Sequence, residues 1–306
     1  MTKILLLAGG ISDEHEVSLR SGAWVRKALE AANHDVTTMD PSDKNFDVIA
    51  ASQGFDVVFP VLHGKGGEDG SLQSQLDNTD IPYVGTGPHG SRLCFDKWQY
   101  RNKLLEAGLA VARGELVDIE SFWQSPLSKR PFVLKPHKGG SSIDTIIVRD
   151  IATISAKRIN DVFSRYEKLL IEELVLGIEI TIAVLNGIAL PVIEIIPPEG
   201  LEFDYENKYN GASQELCPPL HVPVSVQLEA QSLSQQIHKL CACGDYSRTD
   251  MIADELGKLT VLETNTIPGM TEQSLFPKAA ATAGISMPTL CNQLVEMALT
   301  HQTERA

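Results

Sequence analysis

Four polar residues near the end of the chain, Arg248, Asp250, Glu263 and Asn265, are spaced so that they could share one surface. The strand-like runs 248–253 and 259–265 flank a short polar turn, 254–258, which is a hairpin pattern. Side chains alternate faces along a strand, so Arg248 and Asp250 project together, as do Glu263 and Asn265. One guanidinium, two carboxylates and an amide oxygen suit a Mg²⁺–phosphate site. Mg²⁺ takes oxygen ligands and is usually held by one or two carboxylates plus substrate phosphates. The same pattern also describes an exposed charged face of a surface hairpin, and only the pairing register separates the two.

Other stretches carry weaker chemistry. The run Leu169-Leu170-Ile171-Glu172-Glu173 leads through Leu174 and Val175 to Gly177 and Glu179. Read as an edge strand with an apolar turn, it could offer backbone groups to an adenine and a carboxylate to a ribose. A plain strand with a solvated acidic turn fits it as well. Lys135 precedes Pro136 and the loop His137-Lys138-Gly139-Gly140-Ser141-Ser142. Glycines let backbone amides approach phosphate, and lysine supplies a point charge. The spacing is not that of a Walker A loop, and a flexible turn would read the same way. His63-Gly64-Lys65-Gly66-Gly67-Glu68-Asp69-Gly70 obeys no metal-ligand spacing. It reads either as an orienting loop beside a substrate or as a tight turn.

These residues need elements to hold them. The first third alternates strand and helix patterns: strands over 3–8, 34–39, 56–62 and 81–84, and a helix over 17–32. Such alternation predicts an α/β domain with a parallel, Rossmann-like sheet, whose loops 9–16 and 63–70 lie at the carboxyl ends of strands, where these sheets hold ligands. From Cys94 onward the pattern changes. A helix over 96–107 ends at Gly108, and strands are predicted over 132–134, 169–173, 179–185 and 191–196. A polar loop, 202–214, and a helix over 227–241 precede the hairpin.

Composition limits what the chain can be. A length of 306 residues predicts two or three domains rather than one small core. The formal charge of -14 argues against nucleic acid or an anionic membrane as partner, since both need a basic surface. A phosphate site here must therefore rest on a few placed lysines. No apolar run approaches the ~20 residues that span a bilayer, and the apolar run 4–8 is too short for a signal peptide. The five cysteines show neither a disulfide framework nor zinc spacing, so the reading is a cytoplasmic protein with reduced thiols.

Taken in order, the motifs resemble the D-alanine–D-alanine ligase family of the ATP-grasp superfamily, over nearly the whole chain. They are Gly9-Gly10-x-Ser12-x-Glu14-x-Glu16-Val17-Ser18, His63 to Gly70, Asp96-Lys97, Lys135-Pro136 with Gly140-Ser141-Ser142, Asp204-Tyr205-Glu206-x-Lys208-Tyr209, Arg248-x-Asp250, Glu263-x-Asn265-x-x-Pro268-Gly269-Met270-Thr271, and Ser274-Leu275. The resemblance implies a three-domain ATP-grasp architecture: residues 1–93, a central ATP-grasp lobe over 94–183, and a C-terminal domain over 184–306. It implies ATP-dependent joining of two D-alanines through an acyl phosphate, for peptidoglycan precursor synthesis. Lys97, Lys135 and Lys208 would hold phosphates, Glu172, Glu173 and Val175 the adenine, and Glu179 the ribose. Asp250, Glu263 and Asn265 would bind two Mg²⁺ or Mn²⁺ ions. Glu14, helped by His63, would take the ammonium of the first D-alanine, and Ser274 with the Leu275 amide the carboxylate of the second. Glu14, Ser141 and Tyr209 would link substrate to a lid over 202–214. Arg248 and the Gly269 N–H would stabilise the oxyanion. Family habit implies a homodimer, and Tyr209 implies an amine rather than a hydroxyl acceptor.

One loop departs from the pattern. Where the family reads E-G-S-S-V-G, this chain has Gly139-Gly140-Ser141-Ser142-Ile143-Asp144. A carboxylate thus stands in place of a glycine beside the expected phosphates. Glu173 also replaces a residue that is often lysine. The retained lysines, metal ligands and Arg248 favour an active enzyme over a non-catalytic ATP-binding homologue.

Overall fold

The computed structural model describes residues 1–140, 143–197 and 213–305, with side chains to residue 300. The calls on Ser141, Lys208 and Tyr209, and most of the expected lid, lie outside the described residues.

The first sheet is parallel, in the order β2-β1-β3, with β1 Lys3–Leu7, β2 Asp35–Met39 and β3 Val57–Pro60. Both of its faces are covered, and the strand period shows it. Ile4 and Leu6 pack with Val25 and Leu29 of the helix His15–Ala31 and with Leu294 of the C-terminal helix Met287–Arg305. Leu5 and Leu7 pack on the other face with Val48, Leu72 and Leu76. A strand buried on both sides reads as a continuous apolar run, which is why residues 4–8 carry no alternation. The strand expected over 81–84 is reduced to a single bridge between Val58 and Tyr83.

A second, antiparallel sheet has the order β4-β7-β5-β6: β4 Gly114–Val117, β5 Phe132–Pro136, β6 Ile146–Val148 and β7 Leu169–Glu173. Strand β7 lies between β4 and β5, so it is not the edge strand expected; its ladder groups are paired on both sides. Phe132, Leu134, Leu169 and Ile171 face a core closed by Phe122, Ile159 and Val162. The alternate residues Val133, Lys135 and Glu172 face the other way, into a cavity.

The third sheet contains β8 Ile178–Leu185, β9 Ile188–Ala189, β10 Ile193–Ile196, β11 Gln214–Leu216, β12 Tyr246–Ala253 and β13 Leu259–Asn265. One face is a core with Tyr100 and Leu104 of the helix Lys97–Glu106 and Ile237 of the helix Val224–Leu240. The opposite face changes character along the strands. At Ala183, Leu185 and Tyr246 it packs against the core of the first sheet; at Glu179, Asp250 and Ile252 it opens onto the cavity. No helix among the described residues is long and apolar enough to cross a membrane.

Candidate active site

A cavity of about 1470 Å³ lies between the second and third sheets and reaches the loops after β1 and β3. Both strand polarity and side-chain period direct residues into it.

The hairpin register decides whether the four side chains share a face. Arg248 pairs with Asn265 and Asp250 with Glu263, so all four project from one face. The register then slips: Met251 pairs with Val261, leaving Leu262 as the extra residue of a bulge. Without the bulge Leu262 would face the core and Val261 the cavity. With it, Leu262 and Glu263 both line the cavity.

Asp250 is buried and closely held. Arg248 donates from Nε and Nη2 to its two oxygens at 3.0 and 2.9 Å. Thr181 Oγ1 donates to Oδ1 at 2.5 Å, and Asn265 Nδ2 to Oδ2 at 3.3 Å. Because the nitrogen of the Asn265 amide bonds Asp250, its oxygen is the atom left to ligate. Two carboxylates and one amide oxygen match what Mg²⁺ takes when phosphates supply the remaining ligands. They fall short of an all-protein cage, and no cluster of three acidic, His or Cys residues suited to a metal exists among the described residues. The donor set therefore fits a metal that arrives with a phosphorylated substrate, and binding at Asp250 would replace one of its present contacts.

Across the cavity, Lys135 Nζ meets Glu172 Oε2 at 2.7 Å. The two are diagonal neighbours on adjacent strands, since Lys135 pairs with Leu170 and Glu172 with Val133. Burial alone would lower the Lys135 pKa, but the Glu172 and Glu263 carboxylates outweigh it and hold the pKa above the ordinary lysine value. Lys135 is therefore a fixed positive charge. Lys97 lies 3.3 Å from Glu263 Oε2 and donates to the Gly139 carbonyl at 2.5 Å. It stands at the start of its helix because buried Asp96 caps that helix, accepting from the Gln99 amide at 3.2 Å. Asp96 also lies 3.4 Å from His137 and 3.5 Å from Lys138, which fastens the glycine loop to the helix start.

The remaining sequence-predicted residues divide. Glu14 is buried at the cavity wall, where a Cβ on Gly64 or Gly140 would stand 2.8 or 2.9 Å from its Oε2. Those glycines give it room. Glu173, Val175 and Glu179 line the cavity, but the Glu172 side chain is taken by Lys135, with Arg101 at 3.9 Å. Ser274 precedes the helix Leu275–Thr282 and its Oγ accepts from the Thr271 amide at 3.0 Å. Gly269 packs onto it: a Cβ there would lie 2.8 Å from Ser274 Oγ.

Both ring nitrogens of His63 are engaged within the protein. Its Nδ1 is 3.0 Å from the Ile267 carbonyl and its Nε2 is 3.1 Å from Ser21 Oγ. A carbonyl only accepts, so Nδ1 carries the proton and Ser21 donates to Nε2. Burial, with Arg248 nearby, lowers its pKa to about 4. Glu68 runs parallel, accepting from the Gly64 and Ile267 amides at 2.7 and 3.3 Å. Its pKa is raised to about 8 by burial, with Glu14 and Glu263 adding to the shift. These two residues brace the loop after β3 against the loop after β13.

Sequence reasoning passed over Thr181 and Arg101 as site supports and gave Asp96 no role beyond its place in a motif. Asp96 carried a signal: Asp followed three residues later by Gln, ahead of a helix, is a capping pattern. Thr181 and Arg101 had none, because each acts through a partner remote in sequence.

Comparison with known proteins gives a consistent result. Residues 109–296 match the family model for the D-ala D-ala ligase C-terminus, and residues 37–86 that for the D-ala D-ala ligase N-terminus. A D-alanine–D-alanine ligase of Syntrophobacter fumaroxidans is 41% identical over 307 residues, covering 97% of each chain. The crystal structure of D-alanine–D-alanine ligase from Bacillus anthracis complexed with ATP superposes with a TM-score of 0.85 at 27% identity, covering 100% of both chains. The VanG D-Ala:D-Ser ligase from Enterococcus faecalis superposes with a TM-score of 0.80 at 25% identity, covering 97% of this chain and 99% of its own.

Proposed function

The chain belongs to the D-alanine–D-alanine ligase family, ATP-dependent ligases of the ATP-grasp fold, and from that premise we propose how its residues carry the reaction. It joins two D-alanines to D-alanyl-D-alanine at the expense of ATP, a step of peptidoglycan precursor synthesis. The observation that carries the residue roles is the pairing of Arg248 with Asn265 and Asp250 with Glu263, opposite Lys97 and Lys135 across one cavity.

A carboxylate is a poor electrophile, so ATP first converts the first D-alanine to an acyl phosphate. Lys97 and Lys135 hold the phosphates and offset the charge of the transferring group, which is most of what a protein contributes to phosphoryl transfer. The apolar side chains of Val133, Ile147, Ile252 and Leu262 flank the base, with Glu173 and Val175 at its edge and Glu179 beside the ribose. Glu172 acts through Lys135. Asp250, Glu263 and Asn265 would hold Mg²⁺, which would supply charge neutralisation at the phosphates.

Glu14 takes the ammonium of the first D-alanine, and the Ser274–Leu275 helix start receives the carboxylate of the second. Attack by the second amine builds an oxyanion that Arg248 and the Gly269 N–H stabilise, a role worth ~3 kcal/mol per donor elsewhere. His63 holds the Gly269 loop rather than the substrate. Ser141 completes a link from Glu14 to Tyr209, and the loop over 202–214 excludes water, without which the acyl phosphate would hydrolyse. The protein works in the cytoplasm as a homodimer of three-domain subunits divided near residues 93 and 183.

The test is phosphate release from ATP with and without D-alanine. Wild type releases phosphate only when D-alanine is present. Glu263→Gln lowers that turnover by more than ~100-fold while circular dichroism stays unchanged. Near-normal activity of the variant removes the hairpin from the reaction.

A further inference from the structure

Asp144 stands where the family pattern E-G-S-S-V-G has glycine, and its backbone is left-handed: φ is +57°. Few side chains tolerate that region; Asp and Asn are among them. The Asp144 carboxylate is not left facing the phosphates. Arg165 donates to both of its oxygens, from Nη2 to Oδ1 and from Nε to Oδ2, the latter at 3.2 Å. The Tyr166 hydroxyl donates to Oδ2 at 2.9 Å. Partial burial and the bond to Asp144 push the Tyr166 phenol up to about 12, so it remains a donor at neutral pH. Arg165 and Tyr166 lie between the helix Ala156–Phe163 and β7, and the Tyr166 side lines the cavity.

The two ends of the glycine loop are therefore tied to different elements. At one end His137 and Lys138 sit on Asp96; at the other Asp144 sits on Arg165 and Tyr166. Between them Gly139, at φ +135° with nothing within 4 Å of a would-be Cβ, is unconstrained by packing. The carboxylate is matched by the guanidinium, so the Asp144–Arg165 pair carries no net charge.

We propose that Asp144 is a positioning residue for ATP, anchoring the far end of the phosphate-covering loop through Arg165 and Tyr166 in place of the family's glycine. The proposal rests on the reading of this cavity as the ATP site. The anchor fixes the end of the loop at Ile143, which lines the cavity, so it acts on ATP binding and not on D-alanine binding.

The experiment measures ATP affinity by calorimetry without D-alanine, and KM for each substrate with kcat in the phosphate assay. Asp144→Gly keeps the left-handed turn without strain and removes only the anchor. It raises the ATP Kd and KM about tenfold, equivalent to about 1.4 kcal/mol, with KM for D-alanine and kcat within about twofold and the melting temperature unchanged. Arg165→Gln and Tyr166→Phe shift the same constant by smaller factors. The Asp144→Gly/Arg165→Gln double variant is no worse than the first single, because both delete one interaction. Asp144→Gly binding ATP as tightly as wild type, or more tightly, overturns the anchor and leaves charge balance as the only role of Arg165. Equal losses in both KM values, or additive single effects, overturn it too. If wild type binds ATP but releases no phosphate with D-alanine, the ligase reading falls while the Kd comparison still decides the anchor; if it binds no ATP, both fall.

Discussion

His63 and Glu68 brace the same two loops, and their pKa values move in opposite directions. Burial lowers His63 from 6.5 to about 4. The native state then binds fewer protons than the unfolded chain. Stability from the neutral ring is complete above about pH 6.5 and is lost as pH falls toward 4. At pH 5 the loss is about 2 kcal/mol, taking ~1.4 kcal/mol per unit. Glu68, raised from 4.5 to about 8, behaves in the opposite way. Its contribution is complete below about pH 4.5 and is lost as pH rises to 8, so moving from pH 7 to 5 regains about 2 kcal/mol. Wild-type stability should therefore be nearly flat across this interval, and the histidine shows only by difference. Urea unfolding of wild type and His63→Gln at pH 7, 6 and 5 isolates it. The variant starts less stable, having lost the Ile267 and Ser21 bonds in their present geometry. The gap between the two proteins then narrows by about 2 kcal/mol on going to pH 5. A gap that stays constant over this range refutes the buried neutral imidazole, and with it the assigned tautomer.

Two further outcomes follow from the site. Lys135→Met removes the proposed phosphate contact and, among the described residues, leaves buried Glu172 with only Arg101 at 3.9 Å. KM for ATP should rise at least about tenfold and stability fall by about 1–3 kcal/mol, so an unchanged urea midpoint would show that Glu172 does not depend on the pair. With ATP, D-alanine and D-lactate together, the chain should form mainly the dipeptide, as Tyr209 implies; chromatography showing mainly the depsipeptide reverses the acceptor reading.

The α/β class, the parallel first sheet and the boundaries of β7 and β13 were legible in the sequence because each rests on local pattern. The shared face of Arg248, Asp250, Glu263 and Asn265 was half legible: alternation grouped them in pairs, and only the register joined the pairs. The bulge was not legible, since alternation alone would put Val261 with Glu263, and Val261 is in the core. Strands β4, β6 and β11 were missed; each has three or four residues, too few to show a period. The position of β7 inside its sheet depends on β4, so that miss produced the edge-strand error. The bracing contacts of His63 were not legible for a different reason: its ring partners, Ser21 and Ile267, are 42 and 204 residues away in sequence. Asp144 looked like a defect because its partners are 21 and 22 residues further on.

The extra residue in β13 has a mechanical consequence. It turns two covalent neighbours the same way, an apolar cavity-wall residue and a carboxylate proposed for the metal site, their Cα atoms about 3.8 Å apart. Shape at Leu262 and charge at Glu263 are then one lever: a side chain that pushes the bound base also turns the next peptide. Any change that retunes which nucleotide fits here should be felt in turnover as well as in affinity, so discrimination and rate cannot be evolved independently along this strand.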